Sequence, residues 1–165
     1  MSFDEYCRYA DNTIEESPLY LFDKTFADKL AQLGADYTVP EYFSEDLFSV
    51  LEARRPDYRW LIMGPAKSGS AFHIDPNATS AWNACITGSK KWILYPPGCV
   101  PPGVHPSEDG SEVTSTLSLM EWFMTFYAKT KEDQTRPIEF VARAGDLVFV
   151  PTGWFHLVMN LEGKR

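Results

Sequence analysis

Cysteine, histidine and long hydrophobic runs are all scarce in this 165-residue chain. The three cysteines, Cys7, Cys85 and Cys99, are widely spaced and odd in number. They form neither a disulfide framework nor a CxxC zinc motif, and they indicate a reducing compartment, the nucleus or the cytoplasm. No apolar run approaches the ~18–20 residues of a membrane span, which argues against membrane association. Residues 1–12 contain no basic region followed by an apolar stretch, so we expect no signal peptide.

Positive charge is also in short supply. The chain has 15 Lys and Arg against 23 Asp and Glu, which gives a net charge of −8 at pH 7. Nucleic-acid binding needs clustered basic side chains to neutralise phosphates, so we expect no direct nucleic-acid binding. An acidic surface instead favours basic protein partners through electrostatic steering.

The composition is that of a folded domain. Hydrophobic residues make up 44% of the chain and aromatic residues 15%, which allows one sizeable core. Residues 1–58 are predicted to form a helical and extended segment that packs on this core. Within it we expect a strand over 19–22 and helices over 4–12, over 26–33 and from Ser44, as N-cap, to Leu51.

From residue 59 onward the pattern changes to short candidate strands separated by Gly and Pro. They lie at 59–63, 70–75, 80–86, 90–95, 138–141, 146–150 and 156–161. Such spacing is typical of an antiparallel sandwich or barrel. A helix over 117–127, capped by Ser118, is predicted as an insertion between the two groups of strands.

Chemistry is concentrated in Phe72-His73-Ile74-Asp75 and in a distant histidine, His156. In an extended segment, residues i and i+2 point to the same side, so His73 and Asp75 can converge on one metal ion. Two histidines and one carboxylate form the facial triad of non-haem Fe(II) oxygenases, which leaves coordination positions open. Zinc would accept the same ligands, so the ligand set alone does not choose the metal.

The segments around these residues resemble the JmjC domain proteins. The matching stretches include RRPDYRWLIMGPAKSGSAFHIDPNATSAWNACITGSKKWILYPPG (54–98) and AGDLVFVPTGWFHLVMNLE (144–162), together with residues 17–23 and 36–48. The resemblance is to the arginine-demethylase and lysyl-hydroxylase branch once called the phosphatidylserine receptor. It implies a mainly β fold, the double-stranded β-helix (cupin or jelly roll), with N-terminal helices and a helical insertion.

The resemblance also implies a ligand set and a cosubstrate. His73, Asp75 and His156 would bind Fe(II), and the site would take 2-oxoglutarate and O2. The family's lysine in a Gly-x-Lys-x-Trp motif falls on Lys90, which would pair with the distal carboxylate of 2-oxoglutarate. By strand alternation its neighbour, Lys91, should face the opposite way, outward.

Three further residues match positions near the cosubstrate in relatives. Tyr20 would reach the same carboxylate through its hydroxyl, or else serve as core packing. Asn83 would lie near the cosubstrate, or else support a turn or a buried backbone group. Ser70 keeps a hydroxyl where a relative has threonine, or else is a hydroxyl at a strand edge.

The function implied by the resemblance is oxidation of protein side chains. It would be hydroxylation of lysyl or arginyl residues, or their demethylation through hydroxylation. One alternative is a catalytically silent binding module that keeps the cupin fold and the metal. Another is a different metal cupin, against which Lys90 argues. Related proteins continue with a further strand beyond the position of Arg165, so we expect the core, residues 59–165, to be truncated at its C-terminus.

Overall fold

The computed structural model of the chain describes residues 1–108, 112–116, 118–132 and 136–162. The backbone divides into a larger unit, Met1–Leu19 with Gly64–Arg165, and a smaller unit, Tyr20–Met63. The domain boundary at residue 58 stays a prediction. Among helices in the described ranges, none has the length and apolar character needed to cross a membrane.

Within those ranges the helices are short and the strands are many. The α-helices are α1 (Phe3–Asn12), α2 (Phe26–Lys29), α3 (Ala31–Ala35) and α4 (Leu119–Thr125), with 3-10 helices at Glu41–Phe43, Leu47–Arg54, Pro76–Ala78 and Tyr127–Lys131. The strands are β1 (Leu21–Asp23), β2 (Leu61–Met63), β3 (Gly69–His73), β4 (Ala81–Ala84), β5 (Ser89–Tyr95), β6 (His105–Pro106), β7 (Val113–Thr114), β8 (Ile138–Arg143), β9 (Leu147–Val150) and β10 (Phe155–Glu162). Each predicted strand is present, and its ends differ from the predicted ones by at most two residues.

The helix predictions were less accurate in the smaller unit. The helix expected over 26–33 is divided into α2 and α3 at Leu30, whose backbone is not helical (φ −131°, ψ 88°). The helix expected from Ser44 to Leu51 does not begin at Ser44; a 3-10 helix, Leu47–Arg54, begins three residues later, so the predicted cap is wrong. Ser44 ends the 3-10 helix Glu41–Phe43, where its hydroxyl donates to the Glu41 carbonyl oxygen at 2.8 Å. This local side chain–backbone bond competes with helix initiation at the same residue.

The inserted helix, α4, has the predicted cap. The Ser118 hydroxyl accepts a hydrogen bond from the backbone N–H of Glu121 at 3.0 Å. The predicted first residue of the helix, Leu117, lies outside the described residues. The apolar face of α4 and of the residue that follows it packs into the core through Leu119, Trp122, Phe123 and Phe126.

The sheets of the larger unit are antiparallel and interleave the two halves of the chain. The main sheet has the order β3-β10-β5-β8, so the first and last strands of the unit are neighbours. A second sheet pairs β4 with β9, and a third pairs β6 with β7. In the smaller unit, β1 pairs with β2. This confirms the prediction of a mainly β, jelly-roll-like cupin fold with a helical insertion.

The main sheet separates two apolar clusters. Its outer face, which α4 covers, carries Phe72, Ile93, Tyr95, Phe155 and Leu157. Its inner face, which packs against β4 and β9, carries Trp92, Leu94, Ala142 and Val158. Because side chains alternate along a strand, every second residue of β5 and β10 faces inward.

Gly69 fixes the approach of β3 to β10. It pairs with Met159, and a Cβ at this position would lie 2.0 Å from the Val158 carbonyl oxygen and 2.9 Å from the Met159 Cα. Both obstacles are backbone atoms, which cannot move aside by a side-chain rotation. Glycine is therefore required here for steric reasons.

We expect Gly69→Ala to lower the free energy of unfolding by about 3 kcal/mol, since the added methyl group forces β3 and β10 apart. Gly98→Ala is the matched control. Gly98 has φ +83° and no heavy atom within 4 Å of an added Cβ, so its replacement should cost only about 1 kcal/mol of left-handed backbone strain. Urea denaturation of the two variants measures the difference. Equal losses in the two variants would contradict the steric role.

Candidate metal centre

Strand pairing brings together the three residues that the sequence predicts as metal ligands. His73 ends β3 and pairs directly with His156 near the start of β10, and the two ring centroids are 4.1 Å apart. Asp75 follows β3 by two residues in extended conformation (φ −61°, ψ 138°). Its Oδ1 lies 3.9 Å from Nε2 of His73 and 3.8 Å from Nε2 of His156. The three ligand atoms all lie within 4.8 Å of one another.

Backbone hydrogen bonds set the tautomer of both histidines. Nδ1–H of His73 donates to the Ala71 carbonyl oxygen at 2.8 Å, and Nδ1–H of His156 donates to the Trp154 carbonyl oxygen at 3.1 Å. A carbonyl oxygen can only accept, so each Nδ1 must carry the proton. The lone pair of each neutral ring is then on Nε2, the atom that faces Asp75.

Electrostatics keep His156 in the neutral form that a metal requires. Its side chain is almost fully buried. Burial lowers the pKa of His156 to about 4; the neighbouring His73 adds to this effect, and Asp75 opposes it. At neutral pH the His156 ring is therefore ready to donate its lone pair without first losing a proton.

The donor set fits a divalent metal. With metal–ligand bonds of about 2.0–2.2 Å, two ligand atoms on one ion lie roughly 3–3.6 Å apart, and the carboxylate–imidazole separations of 3.8 and 3.9 Å in this cluster are only slightly longer. Two imidazoles and one carboxylate suit Fe(II), Zn²⁺ and similar ions. Within the described ranges no other group of His, Cys, Asp and Glu side chains meets the geometry of a metal site.

Lys90 and Lys91 lie on opposite faces of β5, as alternation predicts. Lys90 is on the inner face, and its Nζ donates to Oδ1 of Asn160 at 2.9 Å. Burial lowers the pKa of Lys90 below its ordinary value, and the nearby Cys85 acts in the opposite direction. Lys91 is on the other face, where it forms an ion pair with Glu139 at 2.7 Å.

Two buried polar atoms on the inner side have no hydrogen-bond partner among the described residues. They are Oδ1 of Asn83, on β4, and Nε1 of Trp92, on β5. Leaving such an atom unsatisfied costs about 1–3 kcal/mol, so a polar ligand in this space would be stabilised. Trp92 can only donate, whereas the Asn83 amide can present its oxygen or, after rotation by 180°, its N–H groups. A carboxylate-bearing ligand between these residues and Lys90 fits the donors present.

Ser70 reaches the inner face through a β-bulge. His73 pairs with His156 and Ser70 with Val158, so three residue steps on β3 match two on β10. Directly paired residues point to the same side of a sheet, which places Ser70 on the same face as His73. Simple alternation over three residues predicts opposite faces.

Tyr20 belongs to the smaller unit, where it immediately precedes β1. Its ring packs edge-on against Phe22 with ring centroids 4.8 Å apart. Both interpretations of Tyr20, as a cosubstrate contact and as core packing, stay predictions.

Asn160 is the polar residue of this face that the sequence prediction missed. Its side chain is almost fully buried, and it pairs in register with Lys90. Alternation from His156 through Val158 to Asn160 predicts that Asn160 points to the same face as His156.

Comparisons with known proteins agree with this geometry. The family model described as a cupin-like domain matches residues 1–164. The chain is 62% identical over 162 residues to "Arginine-specific demethylase JMJ22" of Arabidopsis thaliana, covering 98% of this chain and 32% of that protein. It is 40% identical over 173 residues to "Bifunctional arginine demethylase and lysyl-hydroxylase psr-1" of Caenorhabditis elegans, covering 98% and 42%. It is 34% identical over 178 residues to "2-oxoglutarate and iron-dependent oxygenase JMJD4" of Danio rerio, covering 98% and 39%.

The chain thus spans less than half the length of each of these relatives. The matches nevertheless extend over nearly all of it, and they include both histidine-bearing strands. From the matched domain and the antiparallel architecture together, we conclude that this chain belongs to the cupin-like domain family, in its JmjC group.

Proposed function

We propose that this chain is an Fe(II)- and 2-oxoglutarate-dependent protein oxygenase. It would hydroxylate lysyl or arginyl side chains, or demethylate them through hydroxylation. The observation that carries the proposal is that a His-Asp-His cluster and a half-buried lysine lie on the inner side of one sheet. The names of the relatives, which include demethylases, a lysyl-hydroxylase and an iron-dependent oxygenase, agree with this combination.

The ligand residues have distinct tasks in this proposal. His73, Asp75 and His156 would hold Fe(II), and the two backbone-bonded Nδ1 atoms keep the rings oriented toward it. Bound iron, together with 2-oxoglutarate and O2, supplies the oxidising chemistry. The protein supplies orientation, charge and an apolar surrounding, here from Leu94, Val150 and Val158.

Lys90 is the proposed partner of the distal carboxylate of 2-oxoglutarate. Partial burial of an ammonium costs desolvation free energy, and a carboxylate in contact with Lys90 would offset that cost. Trp92 Nε1–H and the Asn83 amide would add hydrogen bonds, since each has a buried atom with no partner in the part of the chain that the structure describes. Ser70, turned inward by the bulge, is proposed as a further hydroxyl contact.

The proposed substrate is a basic protein segment. The net charge of −8 favours association with Lys- and Arg-rich chains and disfavours nucleic acid. The side chains that would be oxidised are themselves cationic, so charge attraction and chemistry select the same substrates. The three cysteines are free, which supports the proposed location in the nucleus or the cytoplasm.

Anaerobic titration with Fe(II) and 2-oxoglutarate tests the proposal directly. We expect wild type to develop the weak visible charge-transfer band of a chelated 2-oxo acid and His73→Ala to lose it, because one ligand is removed. His105→Ala is the control, since His105 is exposed on β6 and should leave the band unchanged. A wild-type protein that binds metal but gives no band would count against the oxygenase and for a silent binding module.

Lys90→Met should separate cosubstrate binding from metal binding. We expect the Kd of 2-oxoglutarate to rise at least about tenfold, a loss of about 1.4 kcal/mol, because the carboxylate loses its ammonium partner. The Kd of Fe(II) should stay unchanged. Lys91→Met is the matched control, because it removes the neighbouring ammonium on the opposite face and its ion pair with Glu139. Similar losses of 2-oxoglutarate affinity in both variants would exclude the specific role of Lys90.

The depressed pKa of His156 predicts acid sensitivity of the metal-free protein. Unfolded His156 takes up a proton near pH 6.5, whereas the folded residue resists protonation down to about pH 4. The associated stability is present above pH 6.5 and is lost as the pH falls to 4, by up to about 3 kcal/mol. Denaturation of chelator-treated protein across this range measures it. In His156→Gln the free energy of unfolding should depend less on pH than in wild type, whereas His105→Gln should behave like wild type. The same pH dependence in wild type and His156→Gln would refute the depressed pKa of His156.

A further inference from the structure

The side chain and backbone of Asn160 form five hydrogen bonds around the inner face. Its Oδ1 accepts from Lys90 Nζ at 2.9 Å. Its Nδ2 donates to Ser68 Oγ at 2.9 Å and to the Gly64 carbonyl oxygen at 3.3 Å. Its backbone N–H donates to the Ser68 carbonyl oxygen, and its carbonyl oxygen accepts from the Lys67 N–H, both at 2.8 Å.

These contacts fix the direction of the amide. The Gly64 carbonyl oxygen can only accept, so the NH2 end of Asn160 must face it. The Ser68 hydroxyl uses its single proton to donate to the Pro65 carbonyl oxygen at 2.6 Å, so it too can only accept from Asn160. Rotation of the amide by 180° would break both bonds. Its oxygen is therefore held facing Lys90.

We propose that Asn160 is a positioning residue for Lys90, which it holds on the inner face ready for a carboxylate of the ligand. This inference rests on the proposed function, because the ligand carboxylate is that of the cosubstrate. Asn160 does not itself touch the reacting atoms. It acts through Lys90, whose flexible side chain would otherwise lose rotamer freedom each time the ligand binds.

The neutrality of Asn160 matters as much as its geometry. An amide oxygen orients the ammonium and adds no negative charge of its own. An aspartate of the same shape would form an ion pair with Lys90 and would compete with the incoming carboxylate. The position thus favours an amide over a carboxylate if Lys90 is to bind an anion.

The titration of Lys90 in the metal-free protein tests the contact without any ligand. NMR of lysine-labelled protein would follow the Lys90 side chain, assigned by its absence in Lys90→Met. We expect Asn160→Asp to raise the Lys90 pKa by at least about one unit, and Asn160→Ala to lower it. Cys85 also acts on Lys90 and is left intact. Asn12→Asp, at the exposed end of α1, adds the same charge as a control and should leave the titration unchanged.

A double-mutant cycle on 2-oxoglutarate affinity tests the functional role. Asn160→Ala should weaken 2-oxoglutarate binding about tenfold in the wild-type background and should have no further effect in Lys90→Met. The Kd of Fe(II) should be the same in all four proteins. Ser68→Ala, which removes one partner of the amide and keeps Asn160, should weaken 2-oxoglutarate binding in the same sense by a smaller factor.

The outcomes separate two kinds of failure. Loss of affinity on Asn160→Ala that is equally large in both backgrounds would overturn the positioning role, because Asn160 would then act independently of Lys90. An unchanged Lys90 titration in both Asn160 variants would overturn it as well. Failure of wild type to bind 2-oxoglutarate would remove the proposed function, while the Lys90 titration would still decide whether Asn160 controls that side chain.

Discussion

β10 is hydrogen-bonded to β3 on one side and to β5 on the other, and the arrangement of the site follows from that position. Pairing with β3 sets His156 opposite His73, and pairing with β5 sets Asn160 opposite Lys90. His156 and Asn160 are four residues apart on one strand, so both point to the inner face. A single strand thereby aligns the candidate metal ligands with the cationic end of the site.

The two adjacent lysines show how far the sheet separates chemical environments. Lys91 meets Glu139, whose carboxylate also accepts from Tyr127 and Lys131. Burial alone would raise the pKa of Glu139, yet these three donors lower it to about 2. The Lys91 ammonium is therefore held by Glu139 on the outer face of the sheet. Lys90, one residue away, meets the oxygen of an amide and keeps its charge on the side of the metal ligands.

The sequence was most informative where spacing alone determines geometry. The alternation of His73 and Asp75, the opposite faces of Lys90 and Lys91, and the strands punctuated by Gly and Pro all follow from the period of an extended chain. The inward position of Ser70 does not, because it depends on an extra residue in β3 that only the pairing with β10 defines. The helix cap expected at Ser44 failed for a comparable reason, since its hydroxyl was already engaged with the preceding 3-10 helix.

The close approach of Gly69 to the Val158 carbonyl oxygen also selects the alignment of two strands during folding. If β3 slipped by one residue, a side chain from Ser68 or Ser70 would meet that oxygen in place of a hydrogen atom, and His73 would no longer stand opposite His156. Gly69 thus favours the one strand register that sets His73 opposite His156, although it does not contact either histidine. A substitution at Gly69 would therefore shift His73 relative to His156 in the candidate metal centre, although every candidate ligand would still be present in the sequence.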